Sequence, residues 1–419
     1  MSRSDSSKPT RTLPPSATNG WTAFAGAAAF IGSVAILYKS NPFPNIAYSA
    51  LFVLLFTAAA IFSMDLPWQN VHRRGTTGLD FSRHNLSWSR SLCKFIGLLG
   101  SFAFIGLLYW VFPEYHGAFY DNYYRMLKFV LPVWVLASIP YIVLIDRIMR
   151  VPQDSYWHMG KAVMLQWQQV DFAILRQHLT GWLIKGYFLP LMFTYFCNDL
   201  KWILASSSHS LSGFPAYYHF FSDAFYFVDV GLVSMGYLIS LRLTDTHLRS
   251  AEPTMLGWVV ALVCYEPFWS QMGQQYLNYG NGYGWEQWLS GFPLLYMAWG
   301  SVILLLVLVY VWATVAFGAR FSNLTHRGII TGGPYRYTKH PAYIAKNLSW
   351  WLISIPFIVH GNAWESMRCC LALLMLNGIY WLRAKTEEIH LSRDPDYVSY
   401  ALWMKERGIF RFLNRRKIK

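Results

Sequence analysis

Charged side chains are scarce in this sequence. They make up 13% of the 419 residues, whereas a soluble globular domain carries about 25%. Three uncharged runs account for much of the deficit, at residues 21–38, 302–317 and 352–359. A run of ~18 or more apolar residues crosses a bilayer as a helix, because only a helix satisfies its own backbone there. The composition therefore argues against a soluble protein and predicts an all-α, polytopic membrane protein.

Cysteine is also scarce. The five cysteines are an odd number, and most of them fall within apolar segments: Cys93, Cys197, Cys264, Cys369 and Cys370. Their spacing is not that of metal ligands. We therefore expect neither a disulfide framework nor a metal site.

The apolar segments divide the chain into about ten predicted transmembrane helices. Their approximate ranges are 21–38, 44–63, 93–112, 127–146, 181–198, 224–241, 254–270, 292–317, 341–359 and 363–382. The fifth and the seventh are the weakest, since Lys185 and Glu266 interrupt them. Residues 1–20 are polar and rich in Pro, Ser and Thr, which predicts a disordered cytoplasmic tail. With ten spans, both termini lie on one side of the membrane.

Positive charge marks the side that we expect to be cytoplasmic. The chain has 35 Lys and Arg against 21 Asp and Glu, a net charge of +14, and most of its cations fall on the side of the two termini. By the positive-inside rule, both termini and the C-terminal motifs should face the cytoplasm. This distribution explains the positive net charge without binding to nucleic acid. It makes the lipid bilayer the expected partner. The expected location is a bacterial inner membrane.

Residues able to carry chemistry are densest in the last quarter of the chain. A loop between the eighth and ninth spans, residues 320–343, contains Gly328, Gly332 and Gly333 and ends in His340-Pro341-Ala342-Tyr343. We call residues 320–343 the signature loop. Its glycines permit close approach of the backbone to a ligand, and the His-Pro pair favours an extended turn.

Beyond the last predicted span the chain reads Arg383-Ala-Lys-Thr-Glu387-Glu388, followed by Tyr397 and Tyr400. Arg383 and Glu387 are four residues apart and share one helix face. The hairpin formed by the last two spans returns this helix end to the signature loop. A small polar cofactor could be enclosed between them.

These motifs, in this order and around two spans, resemble the isoprenylcysteine carboxyl methyltransferase family and its phospholipid N-methyltransferase relatives. The resemblance covers about the last quarter of the chain. It divides the chain into residues 1–20, a tail; 21–290, a multi-span region that shapes an acceptor pocket; and 291–419, the catalytic region. Ala345 departs from the family pattern, which commonly has Gly there, and Arg327 stands where His is frequent.

The resemblance implies an S-adenosyl-L-methionine-dependent methyltransferase with a lipid or lipid-linked acceptor that enters from the bilayer. It places the cofactor against Arg327, Gly328, Ile329, Ile330, Tyr335, His340, Pro341, Ala342, Tyr343, Glu387 and Glu388. Arg383 would orient an anionic acceptor, Glu387 would hold the cofactor, and His340 would be the base for an acceptor that must lose a proton. These three are the expected catalytic residues.

Two other functions compete with methyl transfer. A sterol-reductase-like enzyme would use a nicotinamide cofactor, but the Lys-Tyr-Gly part of its Arg-Asp and Lys-Tyr-Gly signature is missing from the C-terminal region, and Glu387-Glu388 is present. A transporter or scaffold with a degenerate site is disfavoured because the motif residues are intact and the sequence shows no inverted repeat. Singly, each motif is more often structural; together they favour the transferase.

Two acidic residues fall within predicted spans. Asp229 lies in the sixth and Glu266 near the end of the seventh. Acids in hydrocarbon usually face a cavity or a partner, which makes both functional candidates. A structural pair with Lys185 or Arg242 is an equally good interpretation.

Overall fold

The computed structural model describes residues 12–205 and 212–412. The described residues form helices connected by short turns, with one two-residue strand pair. The helices are α1 Gly20–Lys39, α2 Ile46–Asp65, α3 Trp88–Val111, α4 Asp121–Ile148, α5 Ser155–Val163, α6 Phe172–Ala205, α7 Gly213–Leu238, α8 Met255–Leu262, α9 Gln274–Tyr276, α10 Trp285–Leu289, α11 Pro293–Val315, α12 Pro341–Ser354, α13 Ala363–Leu391 and α14 Pro395–Arg407. The strands are β1 Ser250–Ala251 and β2 Thr325–His326. The predicted all-α class is confirmed.

Five helices within the described ranges are long and apolar enough to cross a membrane. They are Gly20–Lys39, Ile46–Asp65, Trp88–Val111, Ala118–Ile148 and Pro293–Val315. These match the first four and the eighth of the predicted spans. α6, α7 and α13 are also long, at 34, 26 and 29 residues, but they carry more polar groups. The total of ten spans stays a prediction.

The seventh predicted span, residues 254–270, differs from the structure. α8 has only eight residues and ends at Leu262, about 12 Å of helix at 1.5 Å per residue, far short of a bilayer's ~30 Å. A cis peptide bond joins Glu266 to Pro267, and a π-helical turn, Trp269–Gly273, follows. Glu266 accepts hydrogen bonds from the backbone and the hydroxyl of Ser270. The apolar composition was correct, but it does not distinguish a straight span from a broken one.

The core lies where α2, α6 and α7 pack together. Leu54, Phe193 and Met235, one from each helix, have no exposed surface. α11 packs against both α7 and α12, which joins the C-terminal region to this core. The hairpin of α12 and α13 is therefore connected to the core through α11.

Two further connections fix the signature loop. β2 lies within it and pairs antiparallel with β1, with Ser250 opposite His326. Arg320, at the start of the loop, is 2% exposed; it lies 3.4 Å from the carboxylate of Asp65 and donates to the carbonyls of Thr244 and Asp245. The loop is thus held by parts of the chain far away in sequence.

Residues 13–18, which we call the N-terminal segment, were placed in the predicted disordered tail. Residues 1–11 of that tail lie outside the described ranges. The N-terminal segment is ordered against the signature loop: Ala17 N–H donates to the carbonyl of Ile329 at 2.8 Å, and Thr331 donates to Ser16 and Pro14. Ile329 and Thr331 explain this order, because both are buried and their backbone groups need hydrogen-bond partners there.

Candidate active site

The signature loop approaches its neighbours closely at Gly328. This residue has φ +119°, a conformation that side-chain-bearing residues rarely adopt. A Cβ atom there would lie 2.7 Å from the Cβ of Ala17 and 3.3 Å from the guanidinium of Arg249. The glycine is therefore required both by the backbone conformation and by the contact with the N-terminal segment. The next two residues, Ile329 and Ile330, are buried.

The end of the signature loop starts α12. Pro341 occupies the first helical turn, where its missing N–H costs nothing, and it is buried. One turn further on, the ring of Tyr343 stacks on that of His340, with centroids 5.7 Å apart and planes 3° apart. The His-Pro-x-Tyr motif thus forms a rigid aromatic pair at the helix start.

Glu387 and Glu388, near the end of α13, contact this pair differently. Glu387 accepts a short hydrogen bond from the Tyr343 hydroxyl and lies 3.9 Å from His340 Nδ1, and 36% of its side chain is exposed. Glu388 pairs with His340 Nε2 at 3.0 Å and with Lys339 and Lys385. Burial raises the pKa of Glu388, but the hydrogen bonds from His340, Lys339 and Lys385 outweigh it and hold that pKa well below its usual value. Glu388 is therefore a charged structural anchor, and Glu387 is the more available carboxylate.

Arg383 lies one turn before Glu387 but has other neighbours. It is 4% exposed, and no carboxylate of the described residues lies within 4.0 Å of its guanidinium. The guanidinium carbon lies 5.7, 5.3 and 5.1 Å from the ring centres of Tyr265, Tyr343 and Tyr380. A contact of 3.4 Å to the Asn323 side chain completes the set. Arg383 and Glu387 share a helix face, as predicted, without forming an ion pair.

These residues line a cavity of about 190 Å³. Ten of the twelve predicted site residues contribute to its wall: Arg383, Glu387, His340, Arg327, Gly328, Ile329, Ile330, Tyr335, Ala342 and Tyr343. Pro341 and Glu388 do not line it. The structure therefore brings the signature loop, the start of α12 and the end of α13 together, as the hairpin predicted.

Arg327 lines this cavity but uses its guanidinium elsewhere. That group donates to the carbonyls of Gly236 and Ile239, at and just beyond the C-terminal end of α7, at 2.5 and 3.3 Å. Helix C-terminal carbonyls lack partners within the helix, so this is a structural contact. Burial lowers the pKa of Arg327 to about 10 in spite of the opposing effect of Tyr237, and this pKa leaves Arg327 a cation at neutral pH.

The cavity also contains residues that the sequence analysis did not single out. They are Tyr265, Tyr310, Lys346, Tyr380 and His390. His390 could have been found, because it lies three residues after Glu387 and seven after Arg383, on the same helix face. Tyr265 could not, since it comes from a turn 118 residues before Arg383 in the chain.

His390 joins the site to the N-terminal region. Its Nε2 lies 2.8 Å from the hydroxyl of Ser250 in β1, and its Nδ1 lies 3.5 Å from Glu252. Nearby, burial and the cation of Arg249 lower the pKa of His326 to about 4, so that ring is neutral at pH 7. The loop end of the cavity is therefore polar without a cluster of exposed charges.

The two acids in predicted spans have different partners from those considered. Asp229 pairs with neither Lys185 nor Arg242; it accepts from the hydroxyls of Tyr310 and Thr314, both on α11. Tyr310 and Thr314 line the cavity, so Asp229 lies directly behind its wall. Glu266 is bonded locally to Ser270, as described above.

Fold and cavity together define a helical membrane protein with a polar site at the end of a C-terminal hairpin. Residues 294–393 match the sequence model of the isoprenylcysteine carboxyl methyltransferase (ICMT) family. The matched range contains the signature loop, α12 and all of α13, so the resemblance read from the motifs is confirmed for this quarter of the chain. Searches of curated proteins and of solved structures found no match. The family supports a membrane methyltransferase.

Proposed function

We propose that this chain is an integral membrane methyltransferase that uses S-adenosylmethionine to methylate a lipid or lipid-linked acceptor. The observation that carries the proposal is the cavity in which the signature loop, Glu387 and Arg383 meet, inside the segment that matches the ICMT family.

The residues present fit such a cofactor. When bound, S-adenosylmethionine supplies an electrophilic methyl group on a positively charged sulfur. Glu387 offers a partly open carboxylate that offsets this charge, and Tyr343 and His340 fix its orientation. Gly328, Ile329 and Ile330 contribute to the cavity wall, where a nucleoside would lie against the loop. The aromatic end of the cavity, around Arg383, is left for the acceptor.

Transfer to an aligned acceptor needs correct placement more than acid–base help. A carboxylate acceptor loses no proton. A hydroxyl or ammonium must lose one, and His340, at the cavity wall, is the group we assign to accept it. Arg383 orients the acceptor through its guanidinium, and the tyrosines around it exclude water.

Binding of S-adenosylhomocysteine to the purified protein tests the proposal. Glu387→Gln and His340→Ala should each weaken it, since loss of a charge-assisted contact costs about 1.5–3 kcal/mol, or roughly ten- to hundredfold in affinity. Glu365→Gln is the matched control, because Glu365 lies at the other end of α13 and pairs with Arg368 away from the cavity. Unchanged affinity in both site variants would remove the proposed site. Binding of NADPH in place of S-adenosylhomocysteine would favour a reductase instead.

A further inference from the structure

Lys346, in the middle of α12, lines the cavity beyond the His-Pro-x-Tyr motif. Its ammonium lies 5.1 Å from the ring centre of Tyr310 on α11, 5.4 Å from that of Trp350 and 5.9 Å from that of Tyr380 on α13. Lys346 lines the same cavity as Arg383. Rings from three helices therefore form a box around this cation.

Lys346 and Arg383 share one aromatic neighbour. Both lie over Tyr380, whose ring centre is 5.9 Å from the Lys346 ammonium and 5.1 Å from the Arg383 guanidinium carbon. Within the described ranges, neither cation has a carboxylate within 4.0 Å. Aromatic faces compensate a cation only in part, and a buried charge without an opposite charge is costly. The inner end of the cavity thus presents two cations to which an anion could bind.

The nearby acids have hydrogen-bond or ion-pair partners other than Lys346 and Arg383. Asp229 accepts from the hydroxyls of Tyr310 and Thr314, and Glu387 accepts from Tyr343. Glu388 is held by Lys339, Lys385 and His340 at the C-terminal end of α13, as described above. None of these acids forms an ion pair with Lys346 or Arg383 within 4.0 Å, so the donors of both cations remain available to an anion. The two cations therefore favour an anionic headgroup over a cationic one, such as an amine or a trimethylammonium.

The two donors differ in geometry, and this selects among anions. A guanidinium binds a planar carboxylate through two parallel hydrogen bonds, which occupy both of its oxygens. A phosphate monoester has three terminal oxygens, so it can give two to Arg383 and still offer the third to the point charge of Lys346. A dianion also balances both cations.

We propose that Lys346 and Arg383 form a binding site for the phosphate monoester of an amphiphile, and that Lys346 determines this specificity. The proposal rests on the proposed function, since it identifies the anionic handle by which the lipid acceptor is held. The methylated atom is a separate nucleophile of the same headgroup.

The test uses the full chain in phosphatidylcholine nanodiscs and three probes of equal chain length: dodecyl phosphate, dodecanoate and dodecyltrimethylammonium. Calorimetric titration should show dodecyl phosphate binding roughly tenfold or more tighter than dodecanoate, as loss of one charge-assisted contact implies. The trimethylammonium probe should bind most weakly. Lys346→Met should abolish the preference for phosphate over carboxylate, whereas Lys346→Arg should keep most of it.

Lys185→Met is the matched control. Lys185 also lies over an indole ring, 5.8 Å from that of Trp182, but it does not line the cavity. The control should bind all three probes like the unaltered protein. S-adenosylhomocysteine affinity, measured on each variant, reports whether the fold and the cofactor end are intact.

Equal binding of phosphate and carboxylate, or a phosphate preference that survives Lys346→Met, would overturn this inference while S-adenosylhomocysteine binding still supports methyl transfer. Conversely, a Lys346-dependent phosphate preference without S-adenosylhomocysteine binding would keep the anion site and remove the proposed enzyme.

Discussion

Arg383 and Glu387 show how two residues one turn apart can have separate tasks. Glu387 contacts the motif pair His340 and Tyr343 and is partly open, whereas Arg383 is buried among tyrosine rings, with no acidic partner among the described residues. If the two residues formed an ion pair with each other, both would have the same structural role. The structure is instead consistent with a cofactor end and an acceptor end within one cavity.

Arg383→Lys tests this separation at the level of one side chain. The variant keeps the charge but loses the planar fork that binds an anion through two hydrogen bonds. We expect nearly normal S-adenosylhomocysteine affinity and methyl transfer reduced by roughly tenfold or more, as one lost charge-assisted contact implies. Glu387→Gln should instead weaken the binding of the cofactor. The measurement is a cofactor titration and a transfer assay on both variants; equal loss of cofactor affinity would show that the two residues act as one unit.

At the scale of elements, the signature loop is held from both sides. The N-terminal segment hydrogen-bonds along Ile329 and Thr331, and the Tyr400 hydroxyl of α14 donates to the carbonyl of Tyr335 at 2.6 Å. Leu13 packs in the same small cluster as Ile329 and Tyr400. The loop therefore depends on the two ends of the described chain for its conformation.

Removal of residues 1–18 should weaken S-adenosylhomocysteine binding, because the loop loses the hydrogen bond that Thr331 donates to Ser16 and the one that Ile329 accepts from Ala17. Each such bond contributes about 0.5–1.5 kcal/mol, so together we expect roughly tenfold weaker binding. Thr331→Val, which removes only the bond to Pro14 at 2.9 Å, should have a smaller effect in the same direction. Removal of residues 1–11 alone is the control. Equal affinity in all three proteins would show that the N-terminal segment does not support the site.

The sequence predicted elements well where a local signal exists. The hairpin of α12 and α13, and the meeting of the signature loop with Glu387, followed from motif order and hydropathy. α8 was missed as a short helix because a broken apolar segment has the same composition as a straight one. The aromatic contacts of Arg383 were missed because Tyr265 meets it only through the tertiary fold.

Across the whole molecule, cysteine labelling tests on which side of the membrane each part of the chain lies. Single cysteines introduced at Thr12, Thr338 and Arg407, in a background without the five native cysteines, should all react with a membrane-impermeant maleimide from the cytoplasmic side, as the distribution of Lys and Arg implies. A cysteine at Gly361, between α12 and α13, should react only from the opposite side. Labelling of Thr12 and Arg407 variants from different faces would contradict the predicted even number of spans.

The contact between the N-terminal segment and the signature loop has a consequence for biosynthesis. Its hydrogen bonds join residues 298 to 317 positions apart, from Thr18 to Ala316 and from Pro14 to Thr331. The ribosome makes the first partner early and the second only after three quarters of the chain has been inserted. The N-terminal segment must therefore stay on the membrane face where the loop later emerges, and the cofactor end of the cavity is completed only after the loop has been made.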